Sequence, residues 1–439
     1  MAEFDFESLK SEYGLFRDPY VSIEIGGLNI AENKFGFAVS DVRVELSAGL
    51  EASMASFVIY NSYDIISTTF LMDQLKKYIT LGSSVLIRFG YATGVREVFR
   101  GFIAKVNFIY EEDGVPGVMV SALDVKGVMM ANNSSRQLKA NSYSMALKEI
   151  LDNDPYSTMM SEGVFTGYEI ADTTGKGQTI VSGAQAGSIP TSVPTSVPTN
   201  PSEGAASTPA KDQASAQQTS GIFTVEMVAE SDYEFFVRAA KRYNCDFFIL
   251  GGKLFFRKAK SDTSTLIDLS PKTGLMNINV EYDITGLYGS VEVRNVDAGK
   301  GKLISGKARV NNKISQGSKA KSIVGKLTKV YIDPTVESKE DATLRAESLA
   351  EMMSYRFGTL EATMVGLPEI VPGKFITLSG MNQGPDNTYY LQEVIHTFSG
   401  EGIYRTKLIG KAAKLDSVGG IGGAAGSIGG ATSGMGGFL

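Results

Sequence analysis

From Tyr20 to Leu123 the chain alternates short runs of Val, Ile, Phe and Tyr with turn residues, and this rhythm restricts it to an antiparallel β architecture. The runs are YVSIEIGG, DVRVELSAG, MASFVIYN, SVLIRFGY, EVFRGFIAKVNFIY and GVMVSALDV, each closed by Gly, Asn or Asp. Strands this short, in a chain this rich in turns, read as a barrel or a sandwich. A second β-rich stretch, TLEATMVGLPEIVPGKFITLSG followed by TYYLQEVIHTFSGEGIYRTKLIG, echoes the first. GSSVLIRFG resembles GKFITLSG, and VFRGFIAKVNF resembles YYLQEVIHTFS. The fold expected is therefore mainly β with α+β parts, built on two similar β-barrels at 20–130 and 276–412.

Three helices are legible between and within these stretches. SYSMALKEILDND offers Met145, Leu147, Ile150 and Leu151 as an inner stripe. Ser231 and Glu234 have the spacing of a capping box for a helix carrying Phe235, Phe236, Ala239, Ala240 and Tyr243. SKEDATLRAESLAEMMSYRFG keeps Ala342, Ala346, Leu349, Met353 and Phe357 on one face, with Gly358 placed to end it. Residues 131–172 and 222–275 thus form a helix-containing α+β region. It is interrupted at 173–221 by a Ser/Thr/Pro/Gly-rich insert, including SIPTSVPTSVPTNPSEG, that cannot bury enough apolar area to offset its ordering entropy. An N-terminal extension, 1–19, and a Gly-rich tail, 413–439, complete the division.

With 439 residues the chain is long enough for two or three cores. A net charge of -6 argues against general attraction to nucleic-acid phosphates or anionic membranes. Cys245 is the only cysteine, so no disulfide within the chain is available. MAEFDFESLKSEYGLF carries acidic residues where a secretory leader needs a basic start, and no apolar run is long enough to span a bilayer. Assembly in a bacterial type of cytoplasm, without membrane insertion by the chain itself, is the expectation.

No residue is nominated as catalytic, cofactor-binding or metal-binding. His396 is the only histidine, so a multi-histidine metal site is excluded and a hydrogen-bonded interior residue is the expected role. GKLISGKA at 301–308 has phosphate-loop spacing up to Lys307, yet Ala308 stands where the magnesium-binding hydroxyl belongs. Glu111, Glu112 and Asp113 read as a hairpin turn, and Glu337, Glu340 and Asp341 as a helix start favoured by the dipole.

Two features suggest contacts with partners. Between Asp297 and Asp333 there is no acidic residue, while Lys300, Lys302, Lys307, Arg309, Lys313, Lys319, Lys321, Lys326 and Lys329 accumulate. Such a segment can face an acidic partner or lie in solvent as a loop. In the tail, Ile421, Ile428 and Met435 recur seven apart, each followed by two glycines, and Phe438 and Leu439 end the chain. These apolar points suit an extended path along a partner, and a disordered tail is the competing reading.

The order of capped helix, FFILGGKLFFRK hairpin, second capped helix, LPEIVPGKFITLSG and YYLQEVIHTFSGEGIYRTKL resembles the late control protein D family of phages. LIRFGY, FRGFIAKVNFIYEEDG and MVSALDV resemble that family's first barrel, and the likeness covers roughly 20–170 and 220–412. Members are tail hubs, similar in fold to the N-terminal part of the valine-glycine-repeat spike proteins of type VI secretion. The resemblance implies a homotrimer in which two barrels per chain make a pseudo-hexameric ring. The ring would join a sixfold inner tube, or a tube-initiator protein, above to a threefold spike below. A tape-measure protein or baseplate wedge would be a further neighbour, and no cofactor is implied. No spike domain follows the second barrel, so the spike would be a separate protein and the particle a phage tail, a tailocin or a relative. Two other classes are a tail-associated wall-degrading enzyme and a glycan-binding β module.

Overall fold

The computed structural model describes residues 2–32, 36–173, 225–297, 301–310, 318–381 and 384–414. In the first half, residue alternation becomes strand alternation: Ile23, Ile25, Val85, Ile87, Phe89, Val118, Val120 and Ala122 all point into one core. The pairing order is Ala38–Ser47, Met54–Tyr60, Gly117–Leu123, Gly94–Ile109, Ser84–Tyr91, Pro19–Ile25, antiparallel throughout. The second half repeats this order as Leu275–Tyr282, Gly358–Val365, Tyr404–Ala412, Asn387–Phe398, Phe375–Leu378, Thr265–Leu269, except that the last pair is parallel.

The repeat extends to single hydrogen bonds. Gly82 N donates to the Ile103 carbonyl and Ile103 N to that of Ser83, both at 2.9 Å, while Gly373 N donates to Leu391 and Leu391 N to Lys374, both at 2.8 Å. Gly82 and Gly373 share a φ of 85° and 82°, a conformation open chiefly to glycine. Each long strand then skips one residue against its hairpin partner, between Ile103 and Lys105 and between Leu391 and Glu393. Those bulges fix which positions correspond.

The expectation of two closed barrels needs correcting. Among the described residues thirteen strands join one open sheet, and no path of pairing returns on itself. The physical reason is a mismatch in length. Asn387–Phe398 overhangs its four-residue neighbour Phe375–Leu378, and the free edge of the overhang is taken by the first half, with Glu393 opposite Ser47 through to Phe398 opposite Val42. An unpaired edge is costly when its apolar side chains are buried, so the halves share one core rather than closing separately.

A second core gathers the helices Tyr143–Leu151, Tyr156–Ser161 and Asp232–Tyr243 around the hairpin Cys245–Leu250/Lys253–Lys258. The capping box forms: Glu234 N donates to Ser231 Oγ at 3.1 Å, and Ser231 N donates to Glu234 Oε2 at 2.8 Å. Of the first helix's expected stripe, Leu147, Ile150 and Leu151 are buried, but Met145 faces solvent and Tyr143 and Ala146 take its place. Residues 174–224, nearly the whole of the insert, lie outside the described residues.

A third core was not anticipated. Strands Ser290–Asp297, Lys302–Arg309 and Thr328–Ile332 form their own sheet, covered on one side by the helix Lys339–Ser354. Gly306 lets that helix approach, since a Cβ there would lie 2.2 Å from Thr343 N. The expected second barrel at 276–412 is thus split by an inserted lobe between Leu275–Tyr282 and Gly358–Val365. The helix ends at Ser354, and Gly358 opens the next strand instead of terminating it.

Candidate functional site

The one histidine and the one cysteine of the chain are held in the packing. His396 is fully buried on the strand that joins the halves. Its Nε2 donates to the Ile370 carbonyl at 3.1 Å, and its Nδ1 accepts from the Tyr404 hydroxyl at 2.9 Å. Thr406 Oγ1 stands 3.2 Å from the same Nδ1, and Phe89 stacks on the ring. Burial, opposed only by the Ile370 carbonyl, lowers the imidazole to about 4, so it is neutral at physiological pH. Cys245 is pushed up to about 12, by burial first and Asp246 second, which leaves no reactive thiolate. Among the described residues no group of three or more His, Cys, Asp or Glu side chains could hold a metal ion.

GKLISGKA is not a phosphate loop: all of it after Gly301 lies in the strand Lys302–Arg309. Glu111–Gly114 form the turn of a hairpin, where Gly114 N donates to the Glu111 carbonyl at 3.2 Å. Asp341 lies in the first turn of its helix and donates its N–H to the cap Ser338 at 3.1 Å.

Buried polar groups concentrate at the seams between elements. Glu369 meets Arg96 Nε at 2.8 Å and accepts from the hydroxyl of Tyr13, which follows the N-terminal helix Phe6–Glu12, tying that end of the chain to the second half. Lys126, fully buried, donates to the carbonyls of Gly49 and Glu51 at 3.0 and 2.9 Å, with its ammonium 4.8 Å from the Phe247 ring centre. Burial lowers that amine to about 8. Asp232 accepts from Asn132 at 2.8 Å and from the Tyr156 hydroxyl at 2.6 Å, and pairs with Arg136.

Two grooves of about 490 Å³ each lie along these seams. In one, Arg242 pairs with Asp341 at 3.1 Å and Arg345 donates to the Lys241 carbonyl at 2.9 Å, joining the helical region to the inserted lobe, within which Arg345 also pairs with Asp333. In the other, the Tyr390 hydroxyl donates to Asp246 at 2.7 Å and Asn244 to Glu351 at 2.5 Å. Polar side chains thus bridge neighbouring regions along both grooves.

Most of the described residues of the basic segment lie in regular structure. Lys302, Lys307 and Arg309 sit exposed on an edge strand of the inserted lobe, and Lys319 and Lys321 lie on the helix Ser318–Val324. Leu303, Val296, Val330 and Ile332 are exposed on the same three-stranded sheet. Lys300, Lys313, Ile421, Ile428, Met435, Phe438 and Leu439 lie outside the described residues. Sequence reasoning missed the open strand edges at Lys105–Ile109 and Leu275–Tyr282. The signal available was Phe108 and Tyr110, aromatics two apart at the end of the strand Gly94–Ile109 and just beyond it, and both prove exposed.

No protein-family model matches the chain, and no curated protein matches it by sequence. Solved structures do match in fold. The tail protein from Neisseria meningitidis MC58 superposes with a TM-score of 0.58 at 12% identity, over 90% of this chain and 97% of that one. The 43 kDa tail protein of prophage MuSo2 from Shewanella oneidensis gives 0.57 at 11% identity, over 90% and 99%. Agreement along nearly the full length of both, at so low an identity, is agreement of strand order and packing. The chain has the fold seen in these two tail proteins.

Proposed function

We propose that the chain is a structural hub of a phage tail or phage-tail-like contractile injection particle, of the late control protein D type, working as a homotrimer. The observation that carries the reading is the repeated six-strand order, joined edge to edge through Asn387–Phe398 and Ala38–Ser47. A chain that presents two nearly equivalent units lets three copies offer six to a sixfold inner tube while keeping threefold symmetry for a spike. The tube or its initiator would sit above, a separate spike below, and a tape-measure protein or baseplate wedge alongside. The basic face of the inserted lobe would meet an acidic surface of one of these neighbours or of an adjacent copy. The working surface is broad, so the protein is read as a non-enzyme. It would assemble in the cytoplasm and end in the released particle.

Light scattering on the native protein should return three times the chain mass, and images should show a ring with six similar lobes around an axis. A stable monomer with a deep reactive cleft would overturn the reading. Purified protein should release no peptidoglycan fragments and bind no glycan.

A further inference from the structure

The contact that joins the halves within the chain has an unfilled counterpart. Along one edge of Asn387–Phe398, the first residues face Phe375–Leu378 and the last six face the strand Ala38–Ser47. In the equivalent strand Gly94–Ile109, that edge is used only as far as Ile103, which exchanges backbone hydrogen bonds with Gly82 and Ser83. Beyond the bulge, Lys105–Ile109 pair with Gly117–Ser121 on one side, and among the described residues no backbone hydrogen bond reaches the other. The equivalent of Ala38–Ser47 is Leu275–Tyr282, which pairs with Gly358–Met364 and leaves its second edge open. Each half therefore keeps an open edge at one of these equivalent places, and the two are of the kinds that meet inside the chain.

Burial tells the same story. Val394, Ile395 and His396, at the filled junction, are 0%, 5% and 0% exposed. Of their counterparts Val106, Asn107 and Phe108, Asn107 is exposed and Phe108 is 44% exposed, with Tyr110 two residues on at 65%. We propose that Lys105–Ile109 of one copy pairs antiparallel with the Leu275–Tyr282 edge of the next copy, repeating between chains the junction that joins the halves within one. This rests on the ring reading above and names its contact.

The register follows from the filled junction. There Glu393, Val394, Ile395, His396 and Thr397 face Ser47, Leu46, Glu45, Val44 and Arg43. The bulges place Lys105 at the position of Glu393. Ladder partners place Glu281 at that of Glu45, because Glu45 faces Met54, Glu281 faces Thr359, and Met54 and Thr359 both face the equivalent residues Leu123 and Lys411. Between copies, Lys105 then falls opposite Asp283, Val106 opposite Tyr282, Phe108 opposite Val280 and Ile109 opposite Asn279. A cation meets a carboxylate, and Val106 and Phe108 meet Tyr282 and Val280, while Ile109 meets the amide of Asn279. Sliding by one residue would set Phe108 against Glu281 or Asn279 and turn every side chain to the wrong face. A contact between unlike edges propagates head to tail and closes when the rotation per copy permits.

The test uses the full chain in a Cys245→Ser background with Lys105→Cys and Asp283→Cys together. Oxidation should give a ladder of disulfide-linked chains ending at the mass of the native ring, with neither single cysteine doing so. Lys105→Glu or Asp283→Lys alone should lower the native mass at low salt, and the two together should restore it. An oligomer that persists without the cross-link and ignores the charge swap overturns this strand assignment and leaves the ring standing. A chain that stays monomeric at every concentration overturns both.

Discussion

The side chain that most repays attention is His396, because its burial makes the junction of the halves sensitive to acid. In the unfolded chain the imidazole titrates near 6.5, whereas in the fold it titrates at about 4, chiefly through burial. Below pH 6.5 the unfolded state therefore takes up a proton that the folded state refuses. The stability is fully present above that value and is lost as pH falls toward 4, amounting to roughly 3 kcal/mol for 2.5 pH units. His396→Phe should remove this slope while costing about 1–3 kcal/mol at neutral pH, since the Ile370 carbonyl and Tyr404 hydroxyl lose a partner. Denaturant midpoints of the two proteins at pH 7.5, 6, 5 and 4.5 would check it: the curves should converge as the medium acidifies. Parallel curves would mean that the histidine is not the titrating group.

At the scale of elements, what could be read from sequence was local and what could not was pairing. Alternation located the strands, and Ser231 with Glu234 announced a helix start, because each signal sits within a few residues of what it specifies. The echo between GSSVLIRFG and GKFITLSG was sound, down to Gly82 and Gly373. The long-strand echo was three positions out, because the sequence match set Val98 against Tyr389 whereas the ladders set Phe102 against Tyr390 and hence Val98 against Asp386. Invisible in the sequence were the merger through Asn387–Phe398 and the inserted lobe, for both depend on which distant strand fills an edge. His396 was legible as an interior residue, but its place at the seam was not. The basic cluster was legible as charge, not as part of a sheet, since Lys302–Arg309 lacks clean alternation. Gly306 on that strand gives a prediction: Gly306→Val puts a Cβ within 2.2 Å of Thr343 N, against helix backbone that cannot yield cheaply. The lobe should lose about 1–3 kcal/mol. Hydrogen exchange should accelerate across Ser290–Ile332, with protection of Val118–Ala122 in the main sheet unchanged. Equal loosening of both would show that the lobe has no core of its own.

For the whole molecule, the three cores are linked by seams of paired charges, and the ends of the insert are anchored within one of them. Ser144 N donates to Thr173 Oγ1 at 2.9 Å, and Val225 N donates to the Ala140 carbonyl at 3.2 Å, so the chain leaves and re-enters beside the same short segment, Ala140–Ser144. Leu138 faces Val225 and Gln137 faces Glu226 in the ladder that receives the returning strand. Folding must therefore close a loop of about 50 residues, and closure entropy grows by about 0.6 kcal/mol for each doubling of length. Replacing residues 174–224 with a Gly/Ser linker of about twelve residues, whose r.m.s. reach is about 20 Å, shortens the loop by two doublings. The replaced protein should be more stable by about 1 kcal/mol, read as a raised denaturant midpoint at unchanged slope. The number of chains in the native particle should not change, because neither the inner junction nor the two open edges involve the insert. Loss of the oligomer on replacement, with the midpoint raised as expected, would place an intersubunit contact within residues 174–224 and move the assembly surface away from the strand edges.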